Sequence, residues 1–134
     1  MIIVKTSVNA PLKKAWEYWT QPQHIINWNF ASDDWHCPKA ENNLNIGKEF
    51  SYTMATKNGE MSFDFQGIYT NINEFTLIEY EISDGRKVII SFKEIENNVE
   101  ITESFEPENI HPEELQQQGW QAILDNFKKY VESK

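Results

Sequence analysis

A chain of 134 residues with a formal charge of -9 and five Trp, five Tyr and eight Phe is long enough to bury a core. It is too acidic to be drawn to phosphate backbones or anionic lipid, so neither nucleic acid nor membrane is expected as a partner; no apolar run nears the roughly 20 residues that cross a bilayer. Cys37 alone makes no internal disulfide, and the amino terminus lacks the charged, apolar, small-residue order of a signal peptide, which together point to a cytoplasmic protein.

Taken in chain order, Ile2, Val4 and Val8 fall on one side of an alternating run from Ile2 to Asn9, the pattern of a strand with one buried face. Pro11 suits the first position of a helix, and Leu12, Ala15, Trp16 and Trp19 carry helical spacing up to Thr20. A second start at Pro22 gives a short helix with Ile25, Ile26 and Trp28. Residues Asn29 to Lys48 show no sustained period and are expected to form a long loop. Alternation returns with Phe50, Tyr52 and Met54, then Asn58-Gly59, then Met61, Phe63, Phe65 and Tyr69, which predicts a hairpin with a tight two-residue turn. Three more strands follow, Thr76 to Ser83, Arg86 to Ile95 and Asn98 to Glu106, with turns at Asp84-Gly85 and Asn97-Asn98. From Pro112 to Val131, Leu115, Trp120, Ile123, Leu124, Phe127 and Val131 form the apolar stripe of one long helix.

One strand, two short helices, several antiparallel strands and a long helix make an α+β domain covering residues 1–134. A curved antiparallel sheet of about six strands must cover its apolar face, and only the last helix is long enough to do so.

Three stretches carry a resemblance: Ala10-Pro11-Leu12 with Ala15-Trp16-Glu17-Tyr18-Trp19, the run Trp28-Asn29-Phe30-Ala31-Ser32-Asp33-Asp34-Trp35, and Gly119-Trp120-Gln121-Ala122-Ile123-Leu124. Over essentially its whole length the chain resembles the START-like (SRPBCC) superfamily, and within it the bacterial relatives of the activator of the heat-shock-protein-90 ATPase. The resemblance implies a helix-grip fold with a cavity between sheet and long helix that, in various members, holds apolar molecules. It does not imply one activity. The eukaryotic activator is similar only in its C-terminal domain.

The leading functional expectation is a binding or carrier domain for a small apolar or amphipathic ligand. The alternatives are an interaction module with a protein partner, related to chaperone activators, and a cavity enzyme of cyclase or hydrolase type. Trp16, Trp19, Trp120, Leu124 and Phe127 from the helices would line the cavity, together with Phe50, Tyr52, Phe63, Phe65, Tyr69 and Tyr80 from the strands; the same spacings also suit plain core. Trp28, Phe30 and Trp35 would form its lid, with His36 and Cys37 at its mouth. Gly119 removes a side chain where a ligand or strand could come close.

Glu103 lies between Ile101 and Phe105 on the inward alternation, where an unpaired carboxylate is costly. With Arg86 or a tyrosine hydroxyl it would fix the polar end of a guest; otherwise it pairs internally or meets water at the strand's open end. Asp33, Asp34, His36 and Cys37 collect ligand-type side chains in one short run, but no second cluster at metal-site spacing exists, and no metal site is assigned. His36 and Cys37 point to opposite sides of an extended segment and make a poor dyad, and neither a phosphate loop nor a Gly-x-Ser-x-Gly elbow occurs. No catalytic residue and no cofactor is assigned.

Overall fold

The computed structural model describes residues 1–134. The alternating start forms β1 (Ile2–Val8), and the chain turns at Pro11, held at φ -62°, into α1 (Leu12–Thr20) and then α2 (Pro22–Ile25). Six further strands follow: β2 (Trp35–Asn42), β3 (Glu49–Thr56), β4 (Ser62–Asn73), β5 (Leu77–Ile82), β6 (Lys87–Ile95) and β7 (Asn98–Phe105). The last element is α3 (Glu113–Glu132). All neighbouring strands are antiparallel, in the order β1-β7-β6-β5-β4-β3-β2.

The sheet therefore has seven strands where about six were expected, and the extra one lies in the segment read as loop. Two features hide β2 in the sequence. It is an edge strand, and its register slips between His36 and Lys39, around Pro38. Proline lacks the N–H that a central ladder needs and is tolerated at edges and bulges, and the slip destroys the period-two signal. The Asn58-Gly59 hairpin forms, but with a longer loop than a two-residue turn: only Gly59 has positive φ (+78°), and Asn58 instead accepts the Glu60 N–H through its side chain at 3.0 Å.

α3 is fixed by its apolar stripe and also by the edge it covers. β1 ends the sheet, so one side of its backbone has no strand partner. Side chains of α3 fill that role: Gln121 donates to the Lys5 carbonyl at 3.0 Å, Glu132 accepts the Asn9 N–H at 2.8 Å, and Lys128 donates to the Ser7 carbonyl. An exposed edge is thereby closed without another strand. Gln116, buried at the first turns of the helix, ties down the loop before it through the Glu108 and His111 carbonyls at 3.1 and 2.8 Å. The backbone of α3 thus lies against β1 and α1, and the concave face of β3, β4 and β5 is reached mainly by side chains.

Candidate functional site

The interior divides into two aromatic regions. Near α1 and α2, Trp16 meets Phe92 and Phe75 edge to face at 5.2 and 5.9 Å, and Trp19 and Trp28 flank Phe127 at 4.8 and 4.9 Å. Trp16, Trp28 and Phe127 are buried, and the Trp28 indole N–H donates to the Tyr18 carbonyl at 3.0 Å. Trp28 is therefore core packing and not the lid it was expected to be. Phe30 is half-buried, with its carbonyl held by Asn126 at 2.6 Å. Leu124 is fully buried.

The second region lies on the concave face of β3, β4, β5 and β7. Phe50 contacts Tyr80, Tyr52, Tyr69 and Phe65 at centroid distances from 4.7 to 5.7 Å. Phe50 can lie flat over β4 because residue 67 is glycine: a Cβ there would stand 2.6 Å from the ring. Trp120 stacks on Phe105 at 3.9 Å and turns its edge to Phe65 at 6.0 Å, carrying the ring network from α3 to the sheet. Rings meet across the interior, yet Tyr52, Phe65, Trp120 and Ile123 stay half-buried although they face inward.

Buried hydroxyls and a carboxyl enter this second region. Tyr69 donates to Asn42 Oδ1 at 2.6 Å, and Asn42 donates on to the Thr20 carbonyl at 2.7 Å. Burial pushes Tyr69 up to about 12 and Tyr52 well above the usual phenol range. Tyr80 is raised too, first by burial and then by the negative charge of Glu103, while no hydrogen bond acts on its hydroxyl.

Glu103 is 5% exposed. Its β7 position pairs with Val4 of β1 and Ile90 of β6, so hydrocarbon flanks it on both sides. Burial alone acts on the carboxyl and pushes it up to about 8: no hydrogen bond or counter-charge offsets the loss of water. No buried side-chain oxygen is sealed away without a partner, so this unpaired carboxyl retains contact with open space.

Arg86 does not join it. The residue precedes β6, and its guanidinium is held by Asp84 at 2.8 Å and the Glu106 carbonyl at 3.3 Å. Trp35 and Phe63 meet edge to face at 5.8 Å at the outer end of the sheet, where Phe63 is half exposed. His36 pairs with Ala55, which alternates with the buried Met54; it therefore faces the convex side, away from the rings, while Cys37 is buried and donates to the Lys39 carbonyl. Asp33 and Asp34 are exposed, and the run Asp33 to Cys37 does not converge on a point. No strand comes close to Gly119: a Cβ there would meet nothing within 4 Å. A surface recess of about 610 Å³ lies elsewhere, lined by Glu41, Asn42, Asn43, Gly47, Lys48 and Glu49, with no aromatic residue.

Sequence reasoning missed Gly67 and the Tyr69–Asn42–Thr20 chain. A glycine inside an alternating run, on the face that carries Phe65 and Tyr69, is the signal that marks the first; the second needs β2 in place.

No helix is long and apolar enough to cross a membrane. No curated protein matches the sequence. Among solved structures, a protein of Cytophaga hutchinsonii is 51% identical over 98% of this chain and 92% of its own, with a TM-score of 0.85. The AHSA1-like protein from Aeromonas hydrophila is 35% identical over the same shares, with a TM-score of 0.90. A protein of Nitrosomonas europaea at 14% identity and a TM-score of 0.85 shares the fold. The model of the "Activator of Hsp90 ATPase homolog 1-like protein" family matches residues 9–132, and with the helix-grip architecture around Glu103 this places the chain in that family, within the START-like (SRPBCC) superfamily.

Proposed function

We propose that residues 1–134 act as one binding domain for a small apolar or amphipathic molecule, taken up between the concave sheet and α3, with its polar end at Glu103. The observation that carries this reading is the buried, unpartnered Glu103 carboxyl on the floor of an aromatic face. A fold does not keep such a group for stability, since an apolar residue of similar volume costs less. The half-buried rings of Tyr52, Phe65 and Trp120 supply the apolar wall. They lie close enough together that a guest enters only as they part, and Trp120, held by ring contacts with Phe105 and Phe65 and by no hydrogen bond, is the ring best placed to move. Nucleic acid and membrane have no part in this reading, and the proposed setting is the cytoplasm.

Native mass spectrometry of freshly purified protein tests the proposal. A co-purifying small molecule, or a rise in thermal midpoint with amphiphile concentration, is the expected result; mass action gives about 2.7 kcal/mol at a hundredfold excess over Kd. No adduct and no stabilisation across chain lengths and head groups overturns it.

A second reading, a cavity enzyme of cyclase or hydrolase type, is favoured by the same carboxyl: an acid pushed up to about 8 on the face that carries Tyr80 is protonated at neutral pH and suited to donate a proton. Recovery of a bound molecule chemically altered by the wild type and unaltered by Glu103→Gln separates the two. The interaction module, with a chaperone or another protein as partner, draws on the exposed Phe63 and Met61 on the β3–β4 hairpin.

A further inference from the structure

The binding reading leaves the charge of the guest open, and the surroundings of Glu103 settle which charge they suit. Every element packed around the carboxyl contributes to the answer. β1 and β6 present Val4, Val88 and Ile90. α3 presents Trp120, Ile123, Leu124 and Phe127 inward, with Gln116 the one polar group, already committed to the loop before it. α1 presents Trp16 and Trp19. The titratable groups on this side of the sheet are the phenols of Tyr52, Tyr69 and Tyr80 and the thiol of Cys37, all neutral at pH 7 and kept so by burial. The nearest cation, Arg86, is tied to Asp84 and to a backbone carbonyl.

An acidic group thus sits without a counter-charge on the concave face that carries electron-rich rings: Tyr80, Phe65 and Trp120 follow one another edge to face at 6.3 and 6.0 Å, and Tyr80 is near enough to feel the charge of Glu103. Aromatic faces attract cations, most strongly where water is excluded. The molecule as a whole carries a formal charge of -9, which concentrates cations at its surface and repels anions.

Resting on the proposed binding function, we infer that the guest is an amphipathic cation, an amine or quaternary ammonium whose charged head seats against Glu103 beside Tyr80 while its apolar body lies among the half-buried rings of Tyr52, Phe65 and Trp120. Docking forms an ion pair from a protonated carboxyl: the Glu103 proton leaves to solvent as the ammonium arrives, and no other bond changes. A quaternary ammonium does not titrate, so any pH dependence of its binding belongs to the protein. Below pH 8 the proton must be displaced and affinity rises by up to about tenfold per pH unit; above it the site is already ionised and affinity levels off.

Titration calorimetry with octyltrimethylammonium, octan-1-ol and octanoate, each below its micellar concentration, tests this in buffers of different ionisation enthalpy. The expected result is binding of octyltrimethylammonium with release of close to one proton at pH 7, the affinity climbing from pH 6 to pH 8. Glu103→Gln should lose proton release and pH dependence together, with at least about a tenfold loss of affinity at pH 8. Proton release by the unaltered protein is read independently of whether that variant folds. Binding of octanoate or octan-1-ol without the cation overturns the charge assignment and leaves the binding function standing. Cation binding with no proton release, unchanged in Glu103→Gln, overturns it by placing the head group elsewhere. Binding of none of the three, with no co-purifying molecule, overturns the charge assignment and the binding function together.

Discussion

At one end of the interior, Trp16, Trp19, Trp28, Phe92 and Phe127 pack edge to face and the Trp28 indole N–H has its acceptor. At the other, Tyr52, Tyr69, Tyr80 and Glu103 bring hydroxyls and a carboxyl into the same apolar layer, and two of these groups find no hydrogen-bond partner. The two regions share one sheet and one helix, so the difference is not a matter of fold. It separates what the chain needs in order to stand from what it carries at a cost, and that cost is the ground for the proposed site.

The sharpest way to break this comparison is to remove a ring from the first region. Phe127 is fully buried between Trp19 and Trp28, and Phe127→Ala leaves a cavity that rigid indoles cannot collapse. The expected loss is about 3–5 kcal/mol by urea denaturation. A loss below about 1 kcal/mol would mean that this end is loosely packed and that the contrast between the regions is false.

Glu103 sets the next largest effect, and its sign is opposite to that of an ordinary paired carboxylate. Its folded value of about 8 lies above its ordinary value of 4.5, so the folded state holds the proton more tightly than the unfolded one. The residue's contribution is most favourable below pH 4.5, falls by roughly 1.4 kcal/mol per pH unit between there and pH 8, and is level beyond. Wild type and Glu103→Gln should therefore diverge as pH rises from 5 to 8, the variant gaining relative stability. Parallel stability curves for the two proteins across that range would show the carboxyl to be solvated or paired.

How far the sequence discloses this contrast differs from residue to residue. Alternation alone places Glu103 inward, because Ile101 and Phe105 flank it in an unbroken strand. It cannot tell lid from core: the segment after Trp28 lacks a period in the sequence, which suggests a flap, and β2 closes that segment into the sheet. Arg86 has inward parity as well, but parity holds only inside a strand, and Arg86 sits in the turn before β6 with Asp84 within reach. The two glycines differ in what they face. Gly119 attracts notice beside Trp120 and faces open space, whereas Gly67, marked in the sequence only by its place inside an alternating run, lies against Phe50. Which backbone a ring lies against depends on strand pairing, and one slipped edge strand is enough to conceal it.

Gly67 also supplies a measurable step between the two regions. In Gly67→Ala the new Cβ would stand 2.6 Å from one ring carbon of Phe50 and 3.0 Å from the Glu81 carbonyl, so the ring must tilt into Tyr52 and Tyr80. Overpacking of this kind costs about 1–3 kcal/mol. The same tilt should perturb the near-ultraviolet circular dichroism of the tyrosines, and an unchanged spectrum with unchanged stability would place Phe50 away from β4.

The smallest difference is the most discriminating, because it compares the same substitution on neighbouring strands. Tyr69 and Tyr80 are paired across β4 and β5 and both are buried, but only the Tyr69 hydroxyl is bonded, to Asn42 at 2.6 Å. Tyr69→Phe leaves the Asn42 side-chain oxygen short of a partner and should cost about 1–3 kcal/mol. Tyr80→Phe removes a hydroxyl that has nothing to lose, so its effect should stay within about 0.5 kcal/mol of zero and can be stabilising. If the free Tyr80 hydroxyl is there for a guest, the cost of Tyr80→Phe should reappear in binding of octyltrimethylammonium and not in folding. Equal losses of stability in the two variants would show Tyr80 to be as firmly bonded as Tyr69, and the second region would then be core like the first.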